Sequence, residues 1–409
     1  MPEPAPPGAP PSVPGAKPAR NPFLRFLAGW LAWTALCWGI VGAAAAPLLP
    51  GGWWTVALVA VCSVAPAWVL AAGFRKTLYP GAALRLWVVR PFWYLQLAAP
   101  LLATGTLLGF LAGAPFGAAG AGGRLGVQAA AAFVVAISVA GYLGSRRVVV
   151  RRLEAAWPDL PPELDGLRVV QLSDLHVGPH TPRGHLARVR RALEAEAPDL
   201  VAFTGDQVDD FPRDTEPFAR AFAGVTAPLG VFAIPGNHDV YAGWPEVRLG
   251  LETMELTVLV NDAVPVRRGG ATLWVAGTGD PAGGYRAGGV QGAAPDLPRT
   301  LARVPRGAFV LALAHNPALW PGLAQRGVAL TLSGHTHYGQ LAIPRLGWCA
   351  ASPFLEYAMG AHRAGNSLLY VHPGTNYWGV PFRLGTPAEV AVITLRRGAE
   401  PGVRPAAHG

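Results

Sequence analysis

Apolar residues fall along this chain in two rhythms. As far as residue 145 they come in long runs, Phe26–Ala46, Trp53–Gly73, Phe92–Gly113 and Leu125–Gly144, and none of the four contains a charged side chain. Each run is near the ~20 residues that a helix needs to cross ~30 Å of hydrocarbon. From Leu167 the runs shorten and alternate with amphipathic stretches. Strands are predicted at Leu167–Leu172, Leu200–Thr204, Val231–Pro235, Thr272–Ala276, Ala308–Ala314, Val328–Ser333, Leu368–Val371 and Glu389–Leu395, and a helix at His185–Glu196.

These rhythms divide the chain into a Pro- and Ala-rich disordered tail (1–22), four transmembrane helices (23–145), a linker (146–162), an α/β domain (163–397) and a flexible tail (398–409). The Pro- and Gly-rich stretch Gly113–Gly123 is read as a loop outside the membrane. No cleaved signal peptide is expected, because the first apolar run lies too far in, is long enough to span, and is followed by more of the same.

Composition agrees with a chain partly in lipid, at 51% hydrophobic and 14% charged residues. The formal charge of +9 is confined to the anchor: residues 1–152 hold twelve Lys/Arg against Glu3 alone, and the remainder is slightly acidic. No nucleic acid is therefore expected as a partner, since tracking a phosphate backbone needs positive charge on the folded module itself. Lys17, Arg20 and Arg25 precede the first run, Arg75, Lys76, Arg85 and Arg90 separate the second from the third, and Arg146, Arg147, Arg151 and Arg152 follow the fourth. By the positive-inside rule both ends are cytoplasmic, with Trp53, Trp54, Trp87, Trp93 and Tyr94 at interfacial positions. That predicts a multi-pass protein of the cell (inner) membrane, partnered by the bilayer, with a cytoplasmic catalytic domain. Without ionisable groups inside the runs, a transport pathway has no support. Cys37, Cys62 and Cys349 make no disulfide or metal pattern and read as buried hydrophobes.

The candidate chemistry lies after the predicted strands. Five clusters follow strand ends in order: Ser173-Asp174-Leu175-His176, Gly205-Asp206-Gln207-Val208-Asp209, Gly236-Asn237-His238-Asp239, His315-Asn316-Pro317, and Gly334-His335-Thr336-His337. Each alone is an ordinary turn; five in order are not. They offer carboxylate, imidazole and amide oxygen, which suit Mn, Fe, Zn or similar divalent ions, while the lack of cysteine argues against structural zinc or iron–sulfur sites. Alternating residues such as Asp174 and His176, or His335 and His337, would share one side of an extended segment.

SDLH, GDQVD, GNHD, the single His of AHNP and GHTHYGQ together resemble the calcineurin-like metallophosphoesterases, especially their membrane-associated bacterial branch, over Leu167 to Leu395. The resemblance implies a fold of two mixed β-sheets sandwiched between helices, after a multi-pass α-helical membrane anchor. It implies two divalent metal ions. Asp174, His176, Asp206 and His337 are similar to the ligands of one, and Asp206, Asn237, His315 and His335 to those of the other, with Asp206 bridging. His238 matches the family's acid in position. Asp209 and Asp239 are candidates for orienting the ligands or bracing loops. Tyr338 stands where relatives more often have glycine, and would pack outward, narrow the pocket or stack on a substrate; His372 is a substrate-contact candidate. His180, His185, His362 and His408 read as solvated or structural.

The function expected is hydrolysis of a phosphodiester, phosphomonoester or pyrophosphate bond, with a lipid-linked substrate favoured by a site held near the bilayer. The competing reading is a catalytically silent metal-binding membrane scaffold of the same fold; against it, no ligand of the set is missing.

Overall fold

A computed structural model describes residues 22–74, 78–284 and 292–406. The segment expected to be a disordered tail lies almost wholly outside these, as does His408. The chain divides into two compact units, one formed by residues 1–65 with 95–131 and the other by 66–94 with 132–409.

In the first unit, helices Pro22–Ala45 and Trp53–Cys62 accompany residues 95–113 of helix Arg90–Gly113 and the start of helix Ala119–Ser145. Among the described residues, four stretches are long and apolar enough to cross a membrane: Leu27–Leu48, Trp53–Gly73, Ala82–Phe116 and Ala119–Ser145. The second breaks into Trp53–Cys62 and Ala67–Phe74, where Pro66 lacks an N–H and crowds the preceding turn. Helix begins at Ala119, inside the expected Gly-rich loop, for a packing reason. A Cβ on Gly122 would lie 2.2 Å from the Gly109 carbonyl oxygen, so glycine lets two backbones approach where helices have little other means of association. Ser63 joins three segments, its hydroxyl accepting from Trp38 Nε1 at 3.0 Å and its carbonyl from Gln96 Nε2 at 2.6 Å.

In the second unit the strands are β1 Val148–Trp157, β2 Arg168–Leu172, β3 Leu200–Phe203, β4 Val231–Ala233, β5 Thr257–Val258, β6 Asp262–Arg268, β7 Ala271–Gly277, β8 Phe309–Leu313, β9 Leu330–Ser333, β10 Ala342–Ile343, β11 Trp348–Cys349, β12 Gly360–Ala364, β13 Ser367–Val371, β14 Ala388–Arg397 and β15 Gly402–Pro405. One sheet runs β15-β1-β14-β2-β3-β4-β5 and the other β12-β13-β9-β8-β7-β6, each mixing parallel and antiparallel pairs. Leu153, Trp157, Val169 and Ile393 of the first pack with Val275, Leu311, Leu332 and Leu368 of the second. On the first sheet's other face Val170, Val201 and Val392 meet Val189, Phe218, Phe222 and Trp244 of helices. Val169 and Val170 fall in different cores, as neighbours on a doubly covered strand must.

Two expected boundaries are corrected. Most of the linker is β1, paired in parallel with β14 over its whole length. Its four arginines hid the strand, but Leu153, Ala155 and Trp157 point into the core while Arg151 and Arg152 bond Glu389 and Glu196 at the rim. The flexible tail likewise contains β15, which caps that edge by pairing with 153–156.

Candidate metal centre

The five motif clusters leave the C-terminal ends of β2, β3, β4, β8 and β9, adjacent strands of the facing sheets. Parallel strands end on one side, so residues far apart in sequence reach one place. The backbone there is strained. Asp174, His176, Asp206, His335 and His337 all have positive φ, between 41° and 73°, a region costly for residues with a Cβ and one that gathers at functional sites. Asp174 and His176 are thus brought together by left-handed turns, and the expected alternation along an extended segment is not observed.

All eight motif side chains converge. His337 Nε2 lies 3.2 Å from Asp174 Oδ1 and 3.0 Å from His176 Nε2. Asp206 Oδ2 lies 3.2 Å from His315 Nε2 and 3.5 Å from His176 Nε2. Asn237 Oδ1 is 3.1 Å from His315 Nε2 and 2.8 Å from His335 Nδ1. Asp174, His176 and His337 form one group with ligand atoms within 4.8 Å of each other; Asp174, Asp206 and His315 form another, and His176, Asp206 and His238 a third. Two imidazole nitrogens 3.0 Å apart, amid buried carboxylates, present lone pairs that a cation satisfies, so the donor set fits divalent metal.

Surrounding groups hold the ligands in place. His315 Nδ1 donates to the Thr204 carbonyl at 2.8 Å, which turns Nε2 into the cluster. Asp174 accepts from the His335 N–H at 3.0 Å, and Asp206 Oδ1 from the His238 N–H at 2.8 Å. Asp239 accepts from Val208 N–H at 3.1 Å and Gly236 N–H at 2.8 Å, joining two of the motif loops. Asp209 Oδ1 lies 3.3 Å from His176 Nδ1.

Charge is unevenly spread. Burial raises the pKa of Asp174, but His337, His315 and His176 more than reverse this and hold it well below the usual range. For His238, burial favours the neutral ring, yet Asp206, Asp210 and Asp209 outweigh it and push the pKa up to about 10. Its Nδ1 donates to the Asp209 carbonyl at 2.9 Å. Burial drives His335 down to about 4, with His315 adding to the effect.

Tyr338 and His372 are both tied to neighbouring backbone. The Tyr338 hydroxyl donates to Val371 O at 2.6 Å and accepts from Gly360 N–H at 2.9 Å, in an apolar cluster with Trp320, Cys349 and Leu369. Its phenol is held between these two backbone groups. His372 is fully buried, its Nδ1 accepting from Gly374 N–H at 2.9 Å. His185, without a motif around it, is fully buried and donates to the Thr375 carbonyl at 2.8 Å.

Sequence reasoning missed the loop 374–383. Asn376 Nδ2 donates to Leu175 O at 2.9 Å, its N–H to Asp174 O at 3.2 Å, and the Arg383 guanidinium, fully buried, lies 3.1 Å from His337 Nδ1. Gly374, at φ 94°, leaves room for both: a Cβ there would stand 2.6 Å from Arg383 Nη2 and 3.0 Å from His337 Nδ1. The one signal was a lone arginine inside the apolar run Val380–Leu384.

A two-sheet sandwich whose strand ends gather this cluster defines a phosphoesterase domain of the calcineurin-like type. The family model for calcineurin-like phosphoesterases matches residues 167–339. An uncharacterized metallophosphoesterase of Aquifex aeolicus (strain VF5) is 31% identical over 234 residues, covering 56% of this chain and 85% of that protein. A transmembrane protein with metallophosphoesterase domain from Danio rerio is 32% identical over 246 residues, 58% of this chain and 55% of the relative. An uncharacterized metallophosphoesterase of Helicobacter pylori (strain J99 / ATCC 700824) is 30% identical over 230 residues, 56% of this chain and 60% of the relative. The chain belongs to the calcineurin-like phosphoesterase family, and its apolar helices make it membrane-associated. It spans between half and two thirds of the Danio and Helicobacter proteins.

Proposed function

We propose that the chain is a membrane-anchored hydrolase of phosphoester or pyrophosphate bonds that works with two divalent cations. Asp174, His176, Asp206 and His337 would hold one, and Asp206, Asn237, His315 and His335 the other. The observation carrying this reading is that Asp206 Oδ2 stands within 3.5 Å of imidazoles from both sets, His176 and His315. When bound, such a pair supplies an activated water and neutralises charge developing on the phosphoryl group.

The chain's own residues do the rest. His238, held in place by its Nδ1 bond to the Asp209 carbonyl, gives a proton to the departing oxygen. Asp209 and Asp210 then stabilise the imidazole in position for the next cycle, their oxygens 3.8 and 3.6 Å from His238 Nδ1. Asn237 and His335 fix the opposite side of the pocket through their 2.8 Å contact.

We infer that the catalytic domain faces the cytoplasm from the inner membrane, on a multi-pass anchor. Support comes from the basic connection between the second and third apolar stretches. Tyr79 there donates to Asp214 Oδ1 at 2.9 Å, and Arg213 lies 3.5 Å over the Tyr79 ring, so connection and domain share one side, and positive charge favours the inside. Protease added outside sealed spheroplasts should leave the domain intact; rapid cleavage would reverse the orientation.

The deciding experiment screens the purified full-length protein, supplemented with manganese, zinc or iron, on phosphomonoesters, phosphodiesters, nucleotide sugars and glycerophospholipids. Metal-dependent turnover of one class is expected. Bound metal with no turnover of any would leave the catalytically silent scaffold.

A further inference from the structure

One aromatic side chain at the site has no part in the ligand set. Trp378, 38% exposed, stands with its ring 5.5 Å from His238 at an interplanar angle of 63°. Its backbone is clamped from both directions by Gln340, the last residue of the GHTHYGQ motif: the Trp378 N–H donates to Gln340 Oε1 at 2.9 Å, and Gln340 Nε2 donates to the Trp378 carbonyl at 3.0 Å. The motif that delivers His335 and His337 thus also fixes this indole beside His238.

On its far side Trp378 meets Trp93, ring centroids 5.9 Å apart. Trp93 lies in the first turn of helix Arg90–Gly113, within a stretch apolar enough to span a bilayer. Tyr94, its neighbour, donates to the Pro381 carbonyl at 2.9 Å, and the Arg383 N–H donates to Gly141 O at 2.8 Å near the end of helix Ala119–Ser145. The loop that carries Trp378 is therefore tied to the ends of two apolar helices. His238 stands two aromatic rings from the first turn of a helix apolar enough to span a bilayer.

Basic groups gather at the same level. Arg85, Arg90 and Arg146 each hold a buried Nε with no hydrogen-bond partner. Burial raises the pKa of the Tyr377 phenol, next to Trp378, and positive charge on Arg90 and Arg146 opposes the rise. Tryptophan is favoured at the headgroup layer, where its ring is neither fully in water nor in hydrocarbon. Arginines with guanidinium donors left over near a membrane surface are stabilised by anionic headgroups.

Resting on the hydrolytic reading above, we propose that the substrate is a lipid phosphoester whose hydrocarbon chains stay in the bilayer, and that Trp378 and Trp93 form the lip over which its headgroup reaches His238. Trp378 is then a specificity-determining residue. A water-soluble phosphoester would bypass the lip and make fewer contacts.

The test uses full-length protein with manganese in phosphatidylcholine mixed micelles and two chromogenic diesters: a p-nitrophenyl phosphodiester carried on dioleoylglycerol, and bis(p-nitrophenyl) phosphate. The quantity read is the ratio of kcat/KM on the lipid ester to that on the soluble one. Trp378→Ala and Trp93→Ala should each lower this ratio at least about tenfold, and Trp378→Phe should restore most of it. An unchanged ratio in both alanine variants overturns the proposal, as does a wild type that cleaves the soluble diester alone. No turnover of either ester by metal-loaded wild type would instead overturn hydrolysis itself, and this inference with it.

Discussion

The backbone N–H of His238 donates to Asp206 Oδ1 at 2.8 Å, which joins the proposed proton donor to the carboxylate shared by both ligand sets through the main chain and not the ring. The two roles can therefore be separated by mutation. Asp206→Asn removes the negative charge facing His176 and His315, and with its oxygen kept on the His238 N–H its NH2 would turn toward the cations. It is expected to lower metal-dependent turnover at least about a hundredfold and to reduce bound metal, measured by mass spectrometry of the membrane-extracted protein. His238→Ala keeps the N–H, so bound metal should be unchanged while kcat falls by about a hundredfold or more.

Asp239 makes no contact with the ligand atoms but satisfies two buried N–H groups, of Val208 and Gly236, on separate loops. Asp239→Ala strands both. At about 1–3 kcal/mol for each unsatisfied group, it should destabilise the domain by about 2–6 kcal/mol. Asp239→Asn, with one accepting oxygen left, should lose about half as much. Denaturant unfolding of the detergent-solubilised protein checks the order.

Gly334 precedes His335 without a positive φ, and its constraint is space. A Cβ there would lie 2.0 Å from Ser173 Oγ and 2.2 Å from Asp174 Oδ2. Gly334→Ala should therefore push Asp174 off its place and weaken manganese binding by about tenfold or more. Calorimetric titration reads this directly; equal affinity would show that Asp174 is not a ligand.

Burial pushes the Asp214 carboxyl up to about 6, even against the hydrogen bond from Tyr79. An unfolded aspartate releases its proton near 3.8, so between those values the folded state binds more protons than the unfolded. The stability Asp214 contributes accordingly declines as pH rises from about 4 to about 6 and is level above. In Asp214→Asn that decline is absent, so the variant's melting temperature should gain on wild type across this window. A constant difference from pH 4 to 7 would place the carboxyl at its ordinary value.

By itself the sequence determined the anchor, the order of strands that build the site, and all eight side chains that converge there. Unbroken apolar length decides membrane association locally, and a Gly-Asp or Gly-His after a short apolar strand is a local signal too. Only the tertiary structure decided that Val148–Trp157 is a strand, because its partner, Ala388–Arg397, lies more than two hundred residues on, and that pairing sets Leu153, Ala155 and Trp157 in the core. The same holds for Asn376, Arg383 and Trp378. None carries a motif, and each acts through contacts with Asp174, His337 or His238 that exist once the two sheets have closed on a common core. Pattern along a chain records what a residue does to its neighbours in sequence; what fixes a ligand's orientation is set by neighbours in space.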